Sequence, residues 1–218
     1  MRDLSIATPI VLAGSAAEYG AALRDGAPTL ESASCAPASS YGRAKLRQTE
    51  AGLFFAQTTG RRVISARIFN AIGPGMPDYL ALGDFAAQIA AAPAEDGVLA
   101  SGNLDVAHDF IGYDAVAATL VALAEHPHAC GIYNVCSGQA TPLGVYVEAM
   151  IAASGKAMTI RTDPARLRAD EPRAVFGDTA RLRALRIAPP PPAPFSLGAA
   201  IYREAERTLG VPANGRST

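Results

Sequence analysis

Two short apolar runs near the start of the chain show no helical periodicity, and a glycine-, proline- and serine-rich stretch lies between them. Residues 9–14 (Pro-Ile-Val-Leu-Ala-Gly) and 62–69 (Arg-Val-Ile-Ser-Ala-Arg-Ile-Phe) are rich in β-branched side chains. Runs of this length and composition are typical of strands buried in a parallel sheet. The stretch between them, residues 20–40, predicts a long loop because its residue types favour turns over helices or strands.

Residues 41–59 carry the signals of a helix at both ends. Ser39 and Ser40 can accept hydrogen bonds from the first free N–H groups of a helix, and Gly60 suits the left-handed turn that ends one. Strands and helices then alternate along the chain. Further strands are predicted near Val98 and over 108–111, 131–136 and 158–161, and further helices over 80–92, 113–125, 142–154, 179–185 and 197–209. Alternation of this kind predicts an α/β fold: a doubly wound, mostly parallel sheet covered by helices on both faces.

Composition and charge narrow the classes of function. Of the 218 residues, 50% are hydrophobic and 18% are charged, so the chain can bury a core. The formal net charge is −1 with both signs scattered along the chain, which argues against a nucleic-acid or membrane-surface binder. No apolar run approaches the ~20 residues that span a bilayer, and the polar start does not resemble a signal peptide. We therefore expect a soluble cytoplasmic protein.

The cysteines and histidines offer little chemistry of their own. Cys35, Cys130 and Cys136 form no Cys-x-x-Cys pair and are expected to be buried free thiols. His126 and His128 have no nearby cysteine or carboxylate in the sequence, which makes a metal site a poor interpretation. We expect no metal.

The clearest candidate for catalysis is the segment 41–45 (Tyr-Gly-Arg-Ala-Lys). Tyr41 and Lys45 are four residues apart, so they share one face of the predicted helix. A lysine ammonium next to a phenol favours the phenolate form, which lets the tyrosine give or take a proton near neutral pH. By itself the spacing is also what an exposed helical face would show.

Four further blocks stand around this segment in a definite order. Residues 14–20 (Gly-Ser-Ala-Ala-Glu-Tyr-Gly) precede it, and three blocks follow it: 67–75 (Arg-Ile-Phe-Asn-Ala-Ile-Gly-Pro-Gly), 102–110 (Gly-Asn-Leu-Asp-Val-Ala-His-Asp-Phe) and 133–138 (Tyr-Asn-Val-Cys-Ser-Gly). Together the five blocks resemble the extended short-chain dehydrogenases/reductases, the NAD-dependent epimerase/dehydratase family. Within that family they are most similar to the reductases of GDP-4-keto-6-deoxy-mannose.

The resemblance implies a substrate, a coenzyme and roles for three residues. The substrate would be a nucleotide sugar, and the coenzyme would be NAD or NADP. Ser15 would hydrogen-bond a hydroxyl or carbonyl of the sugar, and Tyr41 would be the general acid/base. Lys45 would tune Tyr41 and hold the ribose of the nicotinamide nucleotide.

Four more positions take roles from the same resemblance. Asn70 would touch the sugar or its diphosphate, and Pro74 would lie at the nicotinamide end of the coenzyme. His108 stands where the family has an arginine before Asp-Phe, so its contact with the diphosphate would be weaker. Arg168 stands where the family places an arginine that contacts the nucleotide.

The resemblance also implies a domain division and a missing part. The core would span 1–155, with a lobe-forming insert at about 74–106, and 156–218 would form a C-terminal substrate-binding lobe. The family begins with a glycine-rich turn whose N–H groups hold the coenzyme pyrophosphate, and this sequence contains no such turn after a first strand. We therefore expect a truncated fold that binds NAD(P) weakly if at all. Strand 9–14 would then be an exposed edge that a second copy or another chain covers.

Three functional hypotheses remain open from the sequence. The first is a keto-sugar reductase or an epimerase/dehydratase that acts on nucleotide sugars. The second is a cofactor-independent isomerase, lyase or cyclase that uses the Tyr–Lys pair for proton transfer alone. The third is a non-catalytic subunit that binds a sugar nucleotide.

Overall fold

Strands and helices alternate in the computed structural model of the protein, which describes residues 8–23, 26–167 and 172–210. The strands are β1 Ile10–Ser15, β2 Pro28–Thr29, β3 Val63–Ile68, β4 Asn70–Ile72, β5 Gly97–Ser101, β6 Ala107–Gly112, β7 Gly131–Val135, β8 Ala140–Pro142, β9 Met158–Thr162 and β10 Ala174–Gly177. The helices are α1 Ser40–Thr59, α2 Ala81–Ala91, α3 Tyr113–Glu125, α4 Leu143–Ser154, α5 Ala180–Ala184 and α6 Pro194–Thr208. Two short 3-10 turns, Ala16–Glu18 and Pro164–Arg166, complete the described elements.

The chain forms two compact units. The first contains the described residues of Met1–Ala71, His108–Ala140 and Ala174–Pro192, and the second those of Ile72–Ala107, Thr141–Arg173 and Ala193–Thr218. The chain therefore passes between the units several times. This division differs from the one expected from the sequence at residue 155, because α4 groups with the second unit and β10 with the first. Contacts between distant parts of the chain set these boundaries, and a sequence pattern does not display such contacts.

The first unit is built on a sheet with the strand order β1-β3-β7. Both pairs are parallel, with Ile10 opposite Val63 and Ile64 opposite Gly131. Its central strand β3 is almost completely buried. A core of buried residues packs around it: Ile64, Ala66, Ile111, Val116, Leu123, Ala129, Tyr133, Val135 and Leu182. Strand β1 lies at the edge of this sheet.

A second sheet, whose strands lie mainly in the first unit, has the order β2-β10-β6-β4, and β8 also pairs with β6. Strands β2 and β10 are parallel. The second unit contains the parallel pair β5–β9, together with helices α2, α4 and α6 packed against one another. The α/β class with mostly parallel strands is therefore confirmed.

Helix α1 begins and ends as its sequence predicts. The Ser39 hydroxyl accepts a hydrogen bond from the Gly42 N–H at 2.9 Å, and Gly60 has a φ of 68° at the C-terminal cap. Helix α6 differs from the prediction, since it begins at Pro194 and not at residue 197. Proline fits the first turn of a helix because the N–H it lacks has no partner there. Cys130 is exposed, which corrects the expectation that all three free thiols are buried.

Candidate functional site

Ser15 is the last residue of β1, and its hydroxyl caps the short 3-10 turn that follows. The Ser15 Oγ accepts a hydrogen bond from the Ala17 N–H at 3.2 Å, and the Ser15 N–H donates to the Glu18 carboxylate at 2.9 Å. This reciprocal pair is a capping box, which satisfies two free N–H groups at the start of the turn. The turn thus gives Ser15 a defined position at the carboxyl end of a parallel strand.

Lys45 connects the first turns of α1 to the end of β1. Its ammonium donates to the carbonyl of Ala13 at 2.8 Å and to the Oε1 of Gln48 at 3.2 Å. The same ammonium lies 5.9 Å from the centre of the Tyr41 ring. Tyr41 is 57% exposed, so a small molecule can reach this residue.

The start of α1 also lies directly against the turn after Ser15. A Cβ on Gly42 would stand 2.4 Å from the Ala17 carbonyl oxygen, so only glycine permits this close approach. Tyr41 is the neighbour of Gly42 in the chain. The structure therefore brings Ser15, Tyr41 and Lys45 to one end of β1, although they come from two elements separated by a long loop.

A buried polar network that the sequence analysis did not identify lies next to Ser15. The Arg67 Nε donates to the Glu18 carboxylate at 2.8 Å, and both side chains are almost completely buried. The Arg67 guanidinium lies 4.5 Å from the centre of the Tyr19 ring, and the Tyr19 hydroxyl donates to the Oδ1 of Asn134 at 2.6 Å. Glu18, Tyr19, Arg67 and Asn134 all belong to the quoted blocks, so their presence there was the available signal.

Tyr19 differs from Tyr41 in its surroundings. Burial raises the pKa of Tyr19 to about 12, so this phenol stays protonated at neutral pH. Its ring is completely buried. Tyr19 is therefore suited to holding the fold together and unsuited to exchanging protons with a ligand.

The other residues with roles implied by the resemblance lie in different places. Asn70 is exposed at the start of β4, and its Nδ2 donates to the Asp109 carbonyl at 3.0 Å. His108 is half-buried in β6 and makes an edge-to-face contact with Phe110. Pro74 is exposed and belongs to the second unit. Arg168 lies outside the described residues.

Asp109 explains why an Asp-Phe block and a Ser-Gly block occur together. Its buried carboxylate accepts hydrogen bonds from the N–H and hydroxyl of Ser137, both at 2.7 Å. It also accepts from the N–H groups of Gly138 and Gly177, at 2.9 and 3.2 Å. Burial raises the pKa of Asp109, and these four donors oppose the rise. Asp109 thus joins β6, β10 and the turn after β7, which is a structural role.

The second unit contains an open cavity of about 630 Å³. Ser101, Gly102, Asn103, Leu104, Asp105, Ile160, Thr162 and Leu167 line it. Four of these residues come from the block 102–110. The lining offers hydroxyl, amide and carboxylate groups next to aliphatic side chains, which suits a polar organic ligand with an apolar face.

The described ranges contain neither a metal-binding cluster nor a membrane-spanning helix. No group of three or more His, Cys, Asp or Glu side chains there could hold a metal ion. None of the described helices is long and apolar enough to cross a membrane.

The described residues fit one end of a nicotinamide coenzyme. An ammonium and an accessible phenol on one helix face, Lys45 and Tyr41, suit the hydroxyls of the nicotinamide ribose. The pyrophosphate needs a glycine-rich turn that opens a helix after a strand. Among the described helices, only α3 has a glycine N-cap, Gly112, and no further glycine follows within that helix. The fit is therefore confined to the nicotinamide end.

Parallel strands covered by helices, with a serine, a tyrosine and a lysine at the end of one strand, define a Rossmann-like protein of the short-chain dehydrogenase class. A family model described as "NAD dependent epimerase/dehydratase family" matches residues 1–136. The chain belongs to this family, which confirms the membership predicted from its five blocks.

Individual relatives agree with this assignment. The chain is 34% identical over 168 residues to GDP-6-deoxy-D-mannose reductase of Pseudomonas aeruginosa, a match that covers 75% of this chain and 55% of the relative. It is 33% identical over 159 residues to dTDP-6-deoxy-L-talose 4-dehydrogenase (NAD(P)(+)) of Kitasatospora kifunensis, covering 72% of this chain and 49% of the relative. The chain thus spans about half the length of these curated relatives.

A solved structure shows the same fold. The structure of RMD from Pseudomonas aeruginosa complexed with NADPH superposes with a TM-score of 0.81 at 28% identity, covering 93% of this chain and 68% of that one. A UDP-glucose 4-epimerase from Thermotoga maritima with UDP-glucose has a TM-score of 0.77 at 19% identity, and it covers 93% of this chain and 64% of that one. At that identity the second likeness supports the fold alone.

Proposed function

We propose that this chain is a nucleotide-sugar-modifying enzyme of the keto-sugar reductase or epimerase/dehydratase type, with Tyr41 as its general acid/base. One observation carries the proposal. The Lys45 ammonium stands near the ring of the exposed Tyr41 and bonds the carbonyl of Ala13, two residues before Ser15. This supports a site in which a proton-transfer group, a cation and a hydroxyl act together at the carboxyl ends of the strands, where ligands bind in parallel α/β folds.

Each of the three side chains has a distinct part in the proposed chemistry. Tyr41 donates a proton to the sugar oxygen as a keto group is reduced, or accepts one as a hydroxyl is oxidised. The Lys45 ammonium, 5.9 Å from the centre of the Tyr41 ring, stabilises the negative charge that develops on the phenol oxygen as a proton is transferred. Ser15 hydrogen-bonds the same sugar oxygen and orients it toward Tyr41. A nicotinamide coenzyme, when bound, supplies or removes the hydride.

The relatives whose names state a substrate support the proposed substrate class. A GDP-sugar reductase and a dTDP-sugar dehydrogenase share about a third of their aligned residues with this chain. This supports a 4-keto or 4-hydroxy nucleotide sugar as substrate, with a GDP-linked 6-deoxy sugar as the first choice. We propose that Ser15, Asn70, His108 and Arg168 contribute to sugar-nucleotide binding.

The coenzyme affinity of this chain alone is proposed to be weak. In this proposal Tyr41, Lys45 and Pro74 would contact only the nicotinamide end, and the sequence contains no glycine-rich pyrophosphate turn. The outer edge of β1 is proposed to be covered by another strand, from a second copy or from a separate chain, because an uncovered parallel edge invites pairing.

Tyr41→Phe tests the proposed acid/base directly. With a GDP-4-keto-6-deoxy sugar and NADPH, the variant is expected to lose turnover by at least about 100-fold, since general acid/base catalysis contributes this much or more. The measurement is product formation by the full chain, followed by chromatography. Tyr79→Phe is the matched control, because Tyr79 is another exposed tyrosine and carries no proposed role.

The same assay separates the alternatives. Full turnover by the Tyr41→Phe protein would exclude Tyr41 as the acid/base. If Tyr41→Phe loses turnover and the wild-type rate does not change when NADPH is added, the result would favour the cofactor-independent enzyme. Sugar-nucleotide binding that survives both Tyr41→Phe and Lys45→Ala, without any turnover by the wild type, would favour the non-catalytic subunit. Calorimetric titration that gave a micromolar NADPH affinity would overturn the proposed weak binding.

A further inference from the structure

Glu18 and Arg67 form an ion pair beside the candidate site in which neither side chain reaches solvent. The exposed fraction of the side chain is 3% for Arg67 and 0% for Glu18, and the Nε–Oε2 distance is 2.8 Å. Burying two charges costs hydration free energy that their attraction often does not recover. A pair of this kind is therefore weak evidence for stability, and its other contacts must show what it does.

The second oxygen of Glu18 holds the backbone of Ser15. The Glu18 Oε1 accepts the Ser15 N–H at 2.9 Å, while its Oε2 accepts from Arg67. The Ile10 N–H bonds the carbonyl of Arg62, the residue directly before the neighbouring strand β3. Because alternate N–H groups of a strand point to opposite sides, the Ser15 N–H points away from β3. The Glu18 carboxylate thus accepts the hydrogen bond that the Ser15 N–H would otherwise donate to a neighbouring strand.

Gly14 shows how closely the carboxylate approaches the strand. A Cβ built on Gly14 would lie 2.7 Å from the Glu18 Oε1 and 3.1 Å from the Ala66 carbonyl oxygen. Only a residue without a side chain leaves room for the carboxylate at this point of the strand. This accounts for the Gly-Ser-x-x-Glu order of the block at 14–18, since glycine admits the group that fixes the serine.

Arg67 is held in place from the side opposite Glu18. Its guanidinium stacks over the Tyr19 ring at 4.5 Å, and its Nη1 donates to the Glu31 carbonyl at 3.4 Å. Tyr19 is anchored in turn by its hydroxyl on Asn134. A guanidinium with these contacts has one orientation, so the carboxylate it binds has one orientation as well.

We propose that Glu18 and Arg67 are positioning residues that fix Ser15 for the reaction proposed above. The carboxylate holds the Ser15 N–H, and the guanidinium holds the carboxylate. Neither side chain touches the substrate. The inference rests on the proposed function for its effect on turnover and on the described contacts for its geometry.

A double-mutant cycle between Glu18 and Ser15 tests the proposal in the full chain. Glu18→Gln is expected to lower kcat by about 10- to 100-fold with little change in KM, because misplacing a reacting group by about 1 Å has effects of this size. Ser15→Ala is expected to lower kcat as well, and the combined variant should be no slower than Ser15→Ala alone. A purely structural role predicts effects that multiply, and that result would overturn the proposal.

A second variant distinguishes loss of positioning from loss of stability. Glu18→Met combined with Arg67→Met removes both charges, and exchanges of this kind often preserve or raise stability. We expect this protein to melt close to the wild type and still show the reduced kcat, because the Ser15 N–H has no acceptor. Wild-type kcat in the folded double variant would overturn the proposal. Thr49→Val is the matched control, since it removes a buried hydrogen bond to Ser65 that does not involve Ser15.

Hydrogen exchange at the Ser15 amide tests the geometry without any turnover. Exchange should be at least about tenfold faster in the Glu18→Met, Arg67→Met double variant than in the wild type and unchanged in Thr49→Val, because loss of its acceptor exposes this amide to local opening. Unchanged exchange in this double variant would refute the positioning contact itself. If the wild type lacks turnover while the amide responds, the proposed function fails and the contact stands.

Discussion

Position 20, the last residue of the block 14–20, must be glycine because it lies directly against the backbone of Ala36. Gly20 has a φ of 53°, and a Cβ there would lie 2.0 Å from the Ala36 carbonyl oxygen. The loop returns at this point, since the Ala21 N–H bonds the Ala36 carbonyl and the Ala36 N–H bonds the Tyr19 carbonyl. The glycine therefore allows the long loop to close on the turn that follows Ser15, which is what brings α1 to the site.

Gly20→Ala is expected to be severely destabilising. A left-handed alanine costs about 1–2 kcal/mol, and overpacking against rigid backbone adds about 1–3 kcal/mol. Gly60→Ala is the control, because Gly60 has a similar φ of 68° and a Cβ there would meet no atom within 4 Å. Urea unfolding should show a much larger loss for Gly20→Ala than for Gly60→Ala. Equal losses would mean that the approach to Ala36 does not restrict position 20.

At the scale of elements, helix ends are satisfied in different ways. Helix α1 ends in the left-handed Gly60, whereas the last carbonyls of α2 accept hydrogen bonds from the buried Lys156. The Lys156 ammonium donates to the carbonyls of Ile89, Ala90 and Ala92 at 2.9, 2.7 and 2.7 Å. A cation at the C-terminus of a helix also complements the helix dipole. Lys156, which follows α4, therefore fastens the end of α2 within the second unit.

Lys156→Met should destabilise the protein by about 2–3 kcal/mol, because several buried carbonyls lose a charged donor while the apolar stem is kept. Urea unfolding gives the free energy, and amide exchange should rise in the last turn of α2. Arg207→Ala serves as the comparison, since it removes a solvent-exposed ion pair with Glu204 and should leave the unfolding midpoint unchanged. A Lys156→Met midpoint equal to that of the wild type would contradict the fastening role.

At the scale of the whole molecule, the edge of the β1-β3-β7 sheet is the feature with the widest consequences. Within the described residues β1 pairs with β3 alone, and helix α1 packs against it. The Ala13 carbonyl on the outer side is already bonded by Lys45, and the Ser15 N–H by Glu18. The open part of this edge is therefore its first half, where Val11 presents its N–H and carbonyl away from β3.

Val11→Pro tests whether this edge joins another copy. The substitution removes an outward N–H and leaves the hydrogen bonds to β3 in place, so it should dissociate an edge-paired dimer without unfolding the sheet. Light scattering coupled to gel filtration should show a wild-type dimer and a Val11→Pro monomer. Leu12→Pro removes an inward N–H and should unfold the first unit instead. A wild-type protein that is entirely monomeric would rule out pairing between copies.

Much of the fold could be predicted because its signals are local. The predicted helix over 113–125 has the same bounds as α3, and the predicted strands over 62–69 and 131–136 match β3 and β7 to within a residue at each end. The short strands β2, β4, β8 and β10 were not predicted. They have two to four residues each, and their pairing partners are distant in the sequence, so no periodicity marks them.

The sequence by itself determined the family, the α/β class and the order of the longer elements, because capping residues, apolar periodicity and motif order are properties of neighbouring residues. Only the tertiary structure decided which polar groups meet. The pairing of Glu18 with Arg67 across 49 positions, and of Tyr19 with Asn134 across 115, depends on strand register and on the closure of the loop at Gly20. These long-range contacts hold Ser15 in place, and a linear pattern contains the residues without their distances.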